Sequence, residues 1–88
     1  MTEQNATNSG QPATRELSFG EKAVGLTFNP GGNPVVDEIK KSFAQAIDNL
    51  NNLRTQSENP EVKRMCSVAI TDAQAAQMWG VKAATWQY

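Results

Sequence analysis

The Asn-Pro pairs Asn33-Pro34 and Asn59-Pro60, each leading into a periodic apolar pattern, constrain this chain more than any other feature in it. An asparagine side chain accepts from the free N–H groups at a helix start. Proline suits the first helical position, because its missing N–H would have no partner there and its φ is already helical. Each pair therefore opens a helix. After the first, Asp37 and Glu38 place acidic charge at the positive end of the helix dipole. Val36, Ile39, Phe43, Ala46, Leu50 and Leu53 then follow at spacings of three and four, a heptad-like seam with Lys40, Lys41, Asp48 and Asn52 off it. The pattern predicts a helix from Pro34 to about Arg54 that packs against another helix. Thr55 to Asn59 is a polar connection of the length that joins antiparallel helices.

The second pattern runs from Pro60 to about Trp86, roughly 40 Å at about 1.5 Å per residue. Its apolar residues do not share one stripe. Val62, Met65, Ala69, Ala73, Ala76 and Gly80 form a seam; Cys66, Ile70, Gln77, Val81 and Ala84 lie beside it; Val68, Ala75, Trp79 and Trp86 fall on a third side. One partner helix covers only about a third of that circumference. The small residues Ala69, Ala73, Ala76, Gly80 and Ala83 let another backbone come close, while Trp79 and Trp86 are large apolar anchors. Left bare in a monomer, such a helix would expose a large apolar patch, so self-association is expected. The fold expectation is all-α: a short N-terminal helical turn and an antiparallel two-helix hairpin, assembled as a homo-oligomer.

Ahead of the hairpin the chain changes character. Residues 1–14 are rich in Asn, Thr, Gln and Ser, with Met1 as the sole large apolar residue, and read as a disordered tail. The folded domain is then 15–88. Ser18 followed by Glu21 makes a capping box, although Gly20 and Gly25 weaken the helix it starts, so a short turn near Phe19 to Val24 is expected. Asn29-Pro30-Gly31-Gly32 is a loop whose backbone is open to close approach.

Composition narrows the function. One cysteine, Cys66, and no histidine among 88 residues exclude an internal disulfide, a structural zinc site and nucleophile pairs of the Ser-His or Cys-His kind. Cys66, flanked by Met65, Val68 and Ala69, reads as a buried inert thiol. No cofactor or metal is expected, and the protein is not expected to be an enzyme. A net charge of −1 and a pI near 5.3 give no global basic field for a DNA or RNA polymer. No apolar run approaches the roughly 20 residues that span a bilayer, and no signal peptide is visible, so a cytoplasmic protein with reduced Cys66 is expected.

Binding is better supported. Within eleven residues Phe19, Lys22, Phe28 and Asn29 supply two aromatic faces, a cation and an amide that can read a base edge or ribose. Aromatic stacking on a base contributes roughly 1–3 kcal/mol. The Gly31-Gly32 turn into a helix N-terminus also suits a phosphate oxygen. Against this stands a plainer role: glycines that only make the turn, and phenylalanines that close the end of the hairpin. Lys63 and Arg64 read as a solvated face, although in an oligomer Arg64 would meet its symmetry mates.

The run R-E-L-S-F-G-E-K-A-V-G-L-T-F-N-P-G-G (Arg15 to Gly32), with R-M-C-S-V-A-I-T-D-A-Q-A-A-Q-M-W-G-V-K-A (Arg64 to Ala83), resembles the helical-hairpin domain of phage sponge proteins. Such proteins sequester cyclic nucleotide signals of the bacterial CBASS and Thoeris immune systems. The resemblance implies a homohexamer that binds its signals without cleaving them. One pocket, between protomer pairs, would take cyclic dinucleotides or glycocyclic ADP-ribose; another, where three protomers meet, would take cyclic trinucleotides. It also implies ligand contacts from Phe19 and Asn29 in the first pocket, and from Arg64 with Thr71 in the second. CBASS-type relatives carry a tyrosine near the start where this chain has Arg15 and Phe19, so the choice of signal stays open. The alternative is a helical adaptor or small structural protein that oligomerises and docks a protein partner.

Overall fold

The computed structural model describes residues 15–88, so the tail assigned to 1–14 lies outside the described residues. Those described form three helices and no strand: α1 (Phe19–Ala23), α2 (Pro34–Gln56) and α3 (Pro60–Ala84). The all-α hairpin expectation holds. Both Asn-Pro starts work as the residue types dictate. The Asn33 side chain accepts from the Val35 N–H at 2.9 Å, and Asn59 accepts from Glu61 N–H at 2.8 Å and Val62 N–H at 3.4 Å. α2 and α3 run antiparallel. At one end the Arg54 guanidinium donates to Ser67 Oγ at 3.0 Å, and at the other the Asn33 amide reaches the Ala84 carbonyl at 3.4 Å. α3 ends at Ala84, short of Trp86, where the Thr85 hydroxyl takes the Val81 carbonyl at 2.9 Å.

Five residues suffice for α1 because both of its ends are closed. The Ser18 hydroxyl accepts from Glu21 N–H at 3.1 Å and the Glu21 carboxylate accepts from Ser18 N–H at 2.8 Å, the reciprocal box expected from their spacing. Gly25, at φ 62°, stops the helix. Its N–H donates to Lys22 O at 3.1 Å and the Leu26 N–H donates to Glu21 O at 3.0 Å, the paired bonds of a Schellman end. Gly20 serves a different purpose. A Cβ there would sit 2.1 Å from the Ala44 carbonyl oxygen, so α1 rests backbone to backbone on α2, with the Gly20 N–H donating to Asp48 Oδ1 at 2.6 Å.

That contact explains a shift of register in α2. The expected seam through Ile39, Phe43 and Ala46 flanks the buried stripe, which is Val36, Lys40, Ala44 and Ile47. Ala44 is buried because α1 lies on it. Ile39, Phe43 and Leu50 are half-buried, whereas Ala46 and Leu53 face outward. Lys40, placed off the seam by the spacing, is 4 % exposed. In α3 the buried line is Cys66, Ile70 and Gln77, the one set beside the expected seam, and Met65 is exposed. A close approach at Gly80 does occur, but within the hairpin: its position for a Cβ lies 3.1 Å from Ile39 Cγ2. The core is small, with Val24, Ala44, Ile47 and Ile70 buried together and Leu26, Phe43, Leu50 and Ala73 packed around them.

Candidate functional site

One cleft stands out, about 490 Å³ in volume, between the Phe28–Gly31 loop, the start of α2 and the end of α3. Its chemistry comes from Phe28, Asn29, Lys40 and Trp86. Phe28 is held out of the core, 72 % exposed, because the preceding turn carries it past the end of α1: its N–H donates to Gly25 O at 2.9 Å. Trp86 follows the end of α3, with the Lys82 ammonium 5.4 Å from its ring centre. Lys40 reaches up from α2 under the loop. Its ammonium donates to the Gly25 carbonyl at 2.8 Å and to the Phe28 carbonyl, and lies 5.6 Å from the centre of the Phe28 ring. A cleft lined by two aromatic side chains and a lysine can take a planar, anionic ligand.

Asn29 is more heavily engaged than its residue type alone suggests. Its amide nitrogen donates to Asn33 O and to Asp37 Oδ1, both at 2.9 Å, and its amide oxygen accepts from Asn33 N–H at 3.2 Å. Both donors are thereby taken, leaving one lone pair on the amide oxygen for anything else. The Gly31-Gly32 turn is likewise less of an anion cradle than expected. Pro34 has no N–H and the Val35 N–H is bonded to the Asn33 side chain, so little of the N-terminal donor set of α2 is free.

Phe19 and Lys22 lie elsewhere. α1 runs antiparallel to α2, so Phe19 meets the far end of that helix, where the Arg54 guanidinium sits 5.4 Å from its ring centre. Arg54 and Lys40 are fourteen residues apart on α2, which at about 1.5 Å per residue separates the two phenylalanines by roughly 20 Å. Lys22 points to solvent and pairs with Glu16 at 2.5 Å. Arg64 and Thr71 share a third location, a shallow depression on the outer face of α3 with Ser67, Val68 and Asp72. In the single chain Arg64 pairs with Glu61 at 2.5 Å, which holds the Glu61 carboxyl below its ordinary range and raises the guanidinium further. The six expected residues therefore occupy three places: Phe28 and Asn29 together, Phe19 and Lys22 near α1, Arg64 and Thr71 on α3.

Lys40 and Trp86 were not among the residues expected to bind. Trp86 reads from sequence as an apolar anchor. Lys40 carried a usable signal: it stands four residues after Val36 and four before Ala44, so a lysine occupies the middle of the buried stripe. Such a residue needs partners for its ammonium, and the loop supplies them.

The family model described as Acb2/Tad1, hairpin domain, matches residues 21–85. No curated protein and no solved structure matches the chain. The matched region spans the second half of α1, the loop, and both helices of the hairpin, and so contains the lining of the cleft except Trp86 and Gln87.

Proposed function

The chain belongs to the Acb2/Tad1 hairpin-domain family of phage anti-CBASS and anti-Thoeris sponge proteins, and we propose that it binds cyclic nucleotide second messengers and holds them uncleaved in the host bacterial cytoplasm. The signals in view are glycocyclic ADP-ribose isomers and cyclic di- and trinucleotides. The observation that carries the reading is the cleft lined together by Phe28, Trp86 and Lys40, because a nucleotide offers planar rings and an anion together. Among the described residues no helix is long and apolar enough to cross a membrane.

Assembly completes the proposal. Met65, Val68, Met78 and Trp79 are each about half exposed or more, in one helix whose other face is covered by α2. A second copy would cover that surface, and a homohexamer would bring Phe19, Lys22, Arg64 and Thr71 of one protomer against a neighbour. Arg64 would then exchange Glu61 for the ligand's phosphate. The same exposed face is what an adaptor for a protein partner would present, but that reading gives no task to Phe28, Trp86 and Lys40.

Calorimetry with a panel of cyclic di- and trinucleotides and cyclic ADP-ribose isomers tests the proposal. At least one is expected to bind with a Kd well below about 10 μM, a value equivalent to roughly 7 kcal/mol. Binding of none at that level sinks the sponge reading and leaves the adaptor. Substituting Phe19 and Asn29 divides the two further: lost binding with the oligomer retained supports the sponge, whereas collapse of the oligomer supports a structural role.

A further inference from the structure

The Asn29 amide has one orientation, and Asp37 helps to set it. One amide hydrogen goes to Asn33 O and the other to Asp37 Oδ1, each at 2.9 Å, while the amide oxygen accepts from Asn33 N–H at 3.2 Å. Turning the group over would set its oxygen against two acceptors and its nitrogen against a donor, so all three bonds would be lost together. Two of them are made to the Asn33 backbone. The third comes from a side chain in the first turn of α2 and ties the loop to that helix. Asn29 lines the cleft; Asp37 is half-buried behind it and is not part of the lining. Among the described residues the ion pairs are Arg15–Glu21, Lys22–Glu16 and Arg64–Glu61, so the Asp37 carboxylate is given to the amide and not to a cation. An acid in a first turn also suits the helix dipole. Glu38 next to it is exposed and could serve the dipole without touching the loop.

From this geometry we infer that Asp37 is a positioning residue that makes Asn29 an acceptor-only contact of the cleft, so that the group Asn29 meets on a ligand is a hydrogen-bond donor. Both amide hydrogens are held, and what is left is one lone pair on the amide oxygen. A phosphate oxygen also accepts, so it has no hydrogen to offer that lone pair. The parts of a nucleotide that do are its ribose hydroxyls and the exocyclic amines of its bases. The inference rests on the nucleotide-binding reading and deepens it, since it assigns Asn29 to a sugar or base edge and not to the phosphate.

The test uses the full chain, labelled with nitrogen-15. The side-chain amide hydrogens of Asn29 are expected to exchange with water about tenfold more slowly than those of the exposed Asn52. Asp37→Leu should bring their exchange toward that of Asn52, whereas Asp37→Asn, whose amide oxygen can take the same hydrogen, should not. Equal exchange at Asn29 and Asn52 in the native chain overturns the assignment, and this readout does not depend on a variant folding. A second arm takes a cyclic nucleotide that the native chain binds, with two analogues of it, one without free ribose hydroxyls and one without exocyclic base amines. One analogue is expected to bind the native chain about tenfold more weakly, which identifies the donor. Asp37→Leu is expected to weaken the parent nucleotide about fivefold and that analogue by less than twofold, because the contact is already missing. Asp37→Asn and Glu38→Gln should leave the parent within twofold. Equal weakening of parent and analogue by Asp37→Leu would mean that Asp37 only supports the fold, and undiminished binding of both analogues would mean that Asn29 meets no donor; either refutes the inference and leaves the sponge reading intact. If no nucleotide binds the native chain, the sponge reading fails and the donor assignment with it, while slow exchange at Asn29 still establishes that its amide is held.

Discussion

Replacing Gly20 with alanine should damage this protein out of proportion to the one methyl group added. The new Cβ would meet the Ala44 carbonyl oxygen at 2.1 Å, the Ala44 carbonyl carbon at 2.9 Å and Asp48 Oδ1 at 2.9 Å. Two of those atoms are backbone of the central helix and cannot swing aside. α1 must therefore lift, and lifting breaks the 2.6 Å bond from Gly20 N–H to the Asp48 carboxylate. Overpacking a core contact costs about 1–3 kcal/mol, and a hydrogen bond to a charged acceptor is worth about 1.5–3 kcal/mol. Together they predict a loss of about 3–5 kcal/mol, a large part of the roughly 5–15 kcal/mol that holds a typical domain. Urea unfolding followed by far-UV circular dichroism measures it, at one fixed protein concentration because association shifts apparent stability. With a slope near 2 kcal/mol/M the midpoint should fall by about 2 M. Detachment of α1 alone would limit the loss, so amide exchange at Glu21 to Val24 is read alongside. Gly25→Ala is the control: it has open space around its Cβ but a φ of +62°, a left-handed conformation that costs a non-glycine residue about 1–2 kcal/mol. A Gly20→Ala loss below that of Gly25→Ala, with α1 amides still protected, would refute the close packing of α1 on α2.

Acid should weaken the chain through Glu21, whose carboxyl is held down to about 2 from an ordinary 4.5 by the Arg15 guanidinium and the Ser18 N–H. A depressed folded-state value means the contribution is complete above about pH 4.5 and fades as pH falls toward 2; thermal melts across that window should show the loss, and Glu21→Gln should flatten it. Arg15 is 64 % exposed, so solvent keeps this effect small. Arg54→Ala removes the donor to Ser67 and Asn51 and the cation over Phe19, and should cost about 1–2 kcal/mol in urea unfolding, in line with partly solvated charged donors. Asn33→Ala and Asn59→Ala each delete a helix cap and should cost about 1 kcal/mol. Asn33→Ala should also loosen the cleft, because the same side chain reaches the Ala84 carbonyl, and ligand affinity should separate the two variants.

Much of the fold is local chemistry, and such chemistry is readable. Asn33-Pro34 and Asn59-Pro60 set both helix starts, and Ser18 with Glu21 set a third, since a cap depends on atoms within three residues of one another. The face of a helix that becomes buried depends instead on what covers it. Lys40 fell off the expected seam, and its partners, the carbonyls of Gly25 and Phe28, lie fifteen and twelve positions away and belong to a backbone that any sequence would have. Gly20 looked like a helix-weakening residue for the same reason: Ala44 and Asp48, which require it, are distant in sequence. The segment containing Phe19, Lys22, Phe28 and Asn29 was legible as a concentration of binding groups. That α1 and the turn after it would carry Phe19 and Phe28 toward opposite ends of α2 was not, because composition does not encode direction.

Recovery of the bound ligand tests the central claim most directly. The purified chain is loaded with the tightest-binding cyclic nucleotide, washed free of excess, denatured by heat, and the supernatant is resolved by liquid chromatography and mass spectrometry. Sequestration predicts a stoichiometric return of the intact cyclic molecule, still able to activate its immune effector. A linear or hydrolysed product, or no retained nucleotide at all, would contradict it.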